Sequence, residues 1–437
     1  MTPASSPPTA TAASRQDFVR RHLRWNVLTL GTDVVLYVTG LAFVSQATIL
    51  PAFAEYLGAP NVAIGAIPAV ATLGWLLPAL FAAGHTESLA RKLPFVLRYT
   101  VWERAPYLAL AAVALAAPHT PLAVSVGLLL LALFAASASS GALMPAWLDV
   151  VAKTIPVTLR GRFTAGYNTV GSLGRLAASV AATAILGAVG APGGYALCFL
   201  TGGVFMMVSW GALAMVLEPP PSAPPPPAVP LRAYLRRIPG LLQRNRNMSW
   251  YLAARACAIV GSMAGAFFTV YALRDLGAPA SRVGLYTAML FLGELAGGLA
   301  LGWLADRFGH RIALGGGAAC MAAANLVALS APSLDVLAVA FLLAGISDAT
   351  VQVSGMNFLL EMAPTAEERP TYVGLGRTAV APVAFAAPLA AGALADAAGY
   401  AVVFACAGAG SLLALLLLTS RVRDPRGRVV DSVIRTL

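Results

Sequence analysis

The pentapeptide YLGAP (Tyr56–Pro60) is answered by DLGAP (Asp275–Pro279), 219 residues later in a chain of 437. Sliding the sequence by that offset brings more than the tetrapeptide into line. Gly65 falls on Gly284, Glu87 on Asp306 and Lys92 on Arg311, with no gap over about 35 residues. A chance tetrapeptide would not carry its surroundings with it. The chain therefore reads as two parallel halves of like design, with LGAP marking the same loop in each.

Composition says what the halves are made of. Hydrophobic residues are 59% of the chain and charged residues only 11%, against about 25% charged in soluble domains. Many apolar runs exceed the ~18 residues that read as a membrane span. The ~10-residue alternation of a membrane β-barrel is absent. The expected fold is all-α and integral to the membrane. Spans are expected near 26–50, 61–84, 94–117, 121–147, 162–189 and 195–217, and again near 249–273, 282–304, 311–331, 334–356, 371–393 and 399–420. That divides the chain into a tail (1–25), a six-helix half (26–217), a linker (218–248), a second six-helix half (249–420) and a tail (421–437). The linker opens with EPPPSAPPPPAVP (Glu218–Pro230), a stiff polyproline spacer, and continues as a basic amphipathic segment suited to a membrane surface.

Charge gives the orientation. Of 29 Lys and Arg, 22 lie in the tails and the loops that follow even-numbered spans, two (Arg274 and Arg282) in the opposite loops, and five inside spans. That bias places both termini in the cytoplasm. It also accounts for the net charge of +11 without a nucleic-acid partner, since an anionic membrane face attracts such loops. The apolar run near the N-terminus is too long for a signal peptide.

Enzyme and cofactor chemistry find little support. The four cysteines stand singly in different apolar runs, and the four histidines lie in or beside loops. No zinc spacing, nucleotide-binding loop or catalytic constellation is present, so no cofactor, metal or ATP drive is expected.

The loops carry a family likeness. GWLADRFGHR (Gly302–Arg311) resembles the G-x-L-a-D-r-x-G-r-r signature of the major facilitator superfamily, with Asp306, Arg307 and Gly309 at its fixed positions. A degenerate copy, AAGHTESLARK, keeps Glu87, Arg91 and Lys92. KTIPVTLRGR resembles the family's P-x-x-x-R-G loop through Pro156, Arg160 and Gly161, and EMAPTAEERP its partner through Glu361, Pro364 and Arg369. The likeness covers residues 26–420 and implies two six-helix halves rocking about a central site, with helices 1, 4, 7 and 10 lining it. It also implies that these loops latch the cytoplasmic side in an outward-open state. Their glycines are expected to permit tight turns.

Charges inside the spans need partners, because each costs roughly 2.5–3.5 kcal/mol at mid-bilayer. Asp33, Arg255 and Asp348 lie ~10, ~9 and ~12 Å from the cytoplasmic ends of spans 1, 7 and 10. Arg255 is expected to pair with Asp33 or Asp348, and protonation of the acid to release it; a static pair or no contact are the alternatives. Arg175 and Glu294, ~20 and ~15 Å deep on spans 5 and 8, form a second expected pair, with Gly166, Gly171, Gly174, Gly293, Gly297, Gly298 and Gly302 allowing close helix approach. Arg98, Glu103 and Arg104 in span 3 are expected to pair structurally with spans 2 or 4, and Arg377 to reach span 2 or the cytoplasmic gate. Ser137–Gly141 on span 4 are small and polar, suited to helix contact or to solute.

The resulting expectation is a monomeric plasma-membrane secondary transporter of a small organic solute. It is taken as proton-coupled and working by alternating access, with export ahead of uptake. The alternative is a protein of the same fold that senses or scaffolds without transport.

Overall fold

A computed structural model describes residues 12–87, 89–221, 245–365 and 368–425. The basic amphipathic part of the linker, most of the proline spacer and much of both tails lie outside the described residues. The rest is almost wholly helical, with no strand among the described residues.

The helices are α1 (Ala12–Ala42), α2 (Ile49–Tyr56), α3 (Asn61–Glu87), α4 (Leu93–Tyr99), α5 (Val101–Ala116), α6 (Leu122–Thr154), α7 (Val157–Val189) and α8 (Gly193–Ala214) in the first half. The second half holds α9 (Arg246–Ser262), α10 (Gly265–Arg274), α11 (Arg282–Phe308), α12 (His310–Ser330), α13 (Leu334–Met362), α14 (Arg369–Thr378), α15 (Ala381–Ala398) and α16 (Tyr400–Ser420). Eleven segments among the described residues are long and apolar enough to cross a membrane. The expected span at 94–117 is not one of them; it carries Arg98, Glu103 and Arg104, which lower its hydropathy, and it divides at Thr100 into α4 and α5. Pro106 contributes there: it offers no N–H to the Trp102 carbonyl, and the Glu103 amide bonds the Thr100 carbonyl at 3.1 Å, a tightened turn.

The first expected span also differs from its forecast. Its helix starts at Ala12, so the basic stretch once read as tail is helical, and it breaks between Ala42 and Ile49. Pro51 cannot donate to the Ala47 carbonyl; Thr269 of the other half does so instead, at 3.1 Å. Span 7 breaks at the equivalent place, between α9 and α10.

Within each half the helices pack in matching pairs: α3 on α6, α11 on α13, α1 on α8 and α9 on α16. Between the halves, α3 meets α15, α7 meets α11 and α2 meets α10. The glycines in the seam differ from those expected. Gly293 and Gly297 bring α11 against Leu342 and Ile346 of α13, inside one half, and Gly171 and Gly174 meet Val38 and Thr39 of α1. Gly166, Gly298 and Gly302 face open space. The close approaches between halves include Gly65, where a Cβ would overlap the Pro388 carbonyl, Gly284, where it would overlap Thr183, and Gly392, where it would overlap the Asn61 carbonyl.

Candidate functional site

The two ends of the molecule differ. At the end remote from the termini, the halves are tied together. Arg274 sits 2.5 Å from the Glu55 carboxylate and donates to the Ala59 carbonyl (2.8 Å) and the Asn61 side chain (3.1 Å). The amide side chain of Asn61 donates to Asp396 at 2.8 Å, and the Asn61 and Val62 backbone amides donate to the same carboxylate at 3.1 and 3.2 Å. Asp396 thus caps the first turn of α3 from across the seam, where a helix N-terminus favours an anion. Tyr400 donates to Asn61 at 2.8 Å, and Thr48 shares a 2.6 Å hydrogen bond with Thr287. This network was not foreseen, although Arg274 was one of only two cations assigned to that side.

Below that seal lies a cavity of about 670 Å³ between the halves. It runs from Gln46, at the break in span 1, to Met356 and Leu359 near the end of α13 on the terminal side. Trp75, Tyr37 and Tyr107 supply aromatic surface, and Ser137, Ser140 and Gln352 supply polar groups. Arg255 and Arg377 both face it. Arg377 lies over the Trp75 ring, 4.9 Å from its centroid, so it reaches the helix of span 2, one of its two expected destinations. Two smaller cavities, of about 260 and 310 Å³, adjoin; Asp348 lines both.

The expected pairing of Arg255 is corrected in part. Asp33 is taken by Arg104 at 3.0 Å, with Ser209 donating to the same carboxylate oxygen at 2.7 Å. Arg104 also donates to the Met206 carbonyl at 3.0 Å and lies 3.0 Å from Glu103, which accepts from Tyr37 at 2.8 Å and from Thr100 at 2.9 Å. Asp33 and Arg104 are each 3% exposed, so this pair is buried among spans 1, 3 and 6, and only its Tyr37 neighbour lines the cavity. Span 3 therefore pairs with spans 1 and 6, not 2 or 4. The cause is the reach of Arg104, which depth alone cannot reveal. Arg255 and Asp348 line one cavity but form no ion pair among the described residues. Arg255 instead engages the Tyr251 hydroxyl, and its Nε is buried without a hydrogen-bond partner. Arg175 and Glu294 do meet, at 2.5 Å, across α7 and α11. Arg175 also covers the Phe291 ring at 4.6 Å.

The loop residues are mainly helix-end fittings. Gly309 has φ +97°, a conformation glycine adopts without strain, whereas Gly302 is inside α11 and makes no turn. Arg311 donates to the Thr419 carbonyl at 2.9 Å, and Glu361 lies 3.7 Å from His310, which shares a 3.2 Å hydrogen bond with Ser354. Pro156 precedes α7, and Arg160 folds back to the Ile155 carbonyl at 2.9 Å and the Ala152 carbonyl at 2.5 Å. Arg91, Gly161, Arg307, Pro364 and Arg369 are exposed. Asp306 lies in the last turn of α11. The side chain of Glu87 lies outside the described residues. Lys92 and Leu93 donate their backbone amides to Glu218 at 3.0 and 2.9 Å, so the first linker residue caps α4. The Lys92 ammonium also contacts the Thr86 carbonyl.

With that geometry in hand, likeness to known proteins can be weighed. The family model described as Major Facilitator Superfamily matches residues 252–434. No curated protein matches the sequence significantly. Solved structures match along nearly the whole chain. A mutant of the nucleoside transporter NupG is 12% identical, with a TM-score of 0.69 over 90% of this chain and 99% of that one. A bacterial homologue of the iron transporter ferroportin, in an inward-facing state, is 14% identical, with a TM-score of 0.65 over 94% and 99%. The xylose transporter XylE from E. coli is 15% identical, with a TM-score of 0.64 over 91% and 98%. Identities this low speak for the fold alone, and the resemblance first seen in the loop motifs is thereby supported from two sides. This multi-pass helical membrane chain matches the Major Facilitator Superfamily model in its second half and shares its fold with solved structures such as that of NupG along nine-tenths of its length.

Proposed function

We propose that the chain is a secondary active transporter of a small organic solute, coupled to protons and working by alternating access. Twelve crossings, with α4 and α5 counted as one, put both termini in the cytoplasm, in accord with the Lys and Arg bias. The plasma membrane is the proposed location and the monomer the working unit. One observation carries the reading: the cavity of about 670 Å³ lies between two halves that hydrogen bonds and ion pairs tie together at its remote end and, through Arg175 and Glu294, at mid-membrane. This is the inward-open member of an alternating pair. The opposite member closes at the loop motifs around Asp306 and Glu361.

Proton coupling is assigned to Asp348, with Arg175 and Glu294 linking the halves at mid-membrane. What supports Asp348 is its place in the cavities beside Arg255 without an ion pair. A carboxylate so placed is costly when charged and is free to exchange a proton as the cavity changes access. Export is the proposed direction, with accumulated protons entering as solute leaves.

The test is a pyranine-loaded proteoliposome carrying the purified chain. A solute-dependent change of internal pH, driven by an imposed gradient, supports coupled transport. Solute binding with no flux of solute or protons moves the chain to the sensor or scaffold reading.

A further inference from the structure

The central cavity contains two guanidinium groups and no carboxylate. Arg255 of α9 and Arg377 of α14 line it, and neither Asp nor Glu does. The two arginines face the same space. Neither forms an ion pair among the described residues. Arg255 keeps a buried Nε unpartnered while it touches the Tyr251 hydroxyl. Arg377 lies over the Trp75 ring, 4.9 Å from its centroid, and a guanidinium's planar fork of N–H donors matches an oxyanion. Asp348 shares an adjoining cavity with Arg255 but forms no ion pair with it among the described residues, and it does not line the central one. Arg255 is half-buried and Arg377 exposed, and a cleft lined by charge of one sign draws in ions of the other, here an anion.

We infer that the solute is an organic oxyanion, a carboxylate or phosphate, attached to an apolar, flat body. The inference rests on the transporter reading above and names the class of its cargo. Arg255 and Arg377 hold the anionic group. Trp75, Tyr37 and Tyr107 line the space for the body, where aromatic faces bury large area at little entropic cost. The volume lies within the ~300–1,000 Å³ of small-molecule sites. A cation would meet two positive charges, and a neutral sugar-like solute would leave both arginines unpaired.

The experiment uses the full chain in nanodiscs of zwitterionic lipid. The probes are 2-naphthoate and 2-naphthyl phosphate, with 2-naphthylmethanol and 2-naphthylmethylamine as neutral and cationic counterparts. At least one anion is expected to raise the melting temperature, and the counterparts to leave it unchanged. Arg255→Gln and Arg377→Gln are each expected to weaken anion binding by about thirtyfold or more, and Arg377→Lys to restore part of it. The lysine variant and the gel-filtration profile separate lost binding from lost folding. Equal stabilisation by the neutral or cationic probe would overturn the inference. So would no response to either anion, or unchanged binding in both glutamine variants. Repeating the series with phosphatidylglycerol in the discs distinguishes solute from lipid. Arginine-dependent stabilisation by the lipid that displaces the soluble anions would assign the site to a headgroup and overturn the cargo. Arginine-dependent binding without movement into proteoliposomes would end the transport reading and leave the anion site standing. Proton-driven movement of the neutral or cationic probe by the Arg377→Gln variant would do the reverse.

Discussion

Glu55 and Arg274 occupy equivalent places in the two halves, 219 residues apart, and meet across the seam at 2.5 Å. The internal repeat thus supplies the acid and the base of its own clasp. Removing either partner should favour the state in which this end is open. With Glu55→Ala or Arg274→Ala, a loss of about 1.5–3 kcal/mol is expected, as for a hydrogen bond to a charged group. Labelling of a Gln46→Cys thiol from the outer side, in a background without the four native cysteines, should speed up roughly ten- to hundredfold. An unchanged labelling rate would show that the clasp does not hold the seal.

Gly65 and Gly284 are also repeat mates, and each lies where the halves approach most closely. Gly65→Val and Gly284→Val each place a branched side chain against backbone of the other half. An overpacking cost of about 1–3 kcal/mol then falls on the closed seam alone. Transport should fall with membrane insertion and expression intact, and the outer thiol labelling should rise as it does without Arg274.

The Asp33–Arg104 pair is a scaffold element in this account. Asp33→Ala or Arg104→Met leaves a buried charge unmatched, at a cost of about 3–5 kcal/mol, which should appear as a clear drop in melting temperature. Asp33→Asn should lower stability less and leave the pH profile of transport where it was. A shifted profile in Asp33→Asn would return Asp33 to the coupling machinery.

Asp348→Asn removes the proposed proton site while keeping its shape. Accumulation driven by a pH gradient should disappear, and solute exchange across the membrane, which moves no net proton, should persist. Loss of both activities would assign Asp348 to solute binding or to structure.

The architecture was legible in the sequence because it depends on quantities that add along the chain. Apolar length placed nearly every helix, and charge counting and the 219-residue register gave the halves and their common loop. Span 3 broke the pattern through local detail: its helix divides at Thr100, beside the charges of Arg98, Glu103 and Arg104 and ahead of Pro106. The site was less legible. Depth along a helix says how far in a charge lies but not which way it faces. Arg255, Asp33 and Asp348 are well matched in depth, yet Asp33 turns to Arg104 and only the other two share a cavity. Arg175 and Glu294 could be paired because the family's helix neighbours were known for spans 5 and 8. The seam went unforeseen although its parts were aligned on the page. Glu55 and Arg274 already faced each other in the repeat register, as did Gly65 and Gly284, and the equivalence of position was the signal.

The central claim is that the closed remote end opens as the cavity changes access. It is tested most directly by spin labels at His119→Cys and Ser333→Cys in the cysteine-free chain. These exposed positions lie in remote-side loops of opposite halves. Double electron–electron resonance distances should fall into two populations, a shorter one for the sealed arrangement and a longer one that grows in Arg274→Ala and changes with pH. A single distance, unaltered by pH, by solute and by Arg274→Ala, would contradict the account.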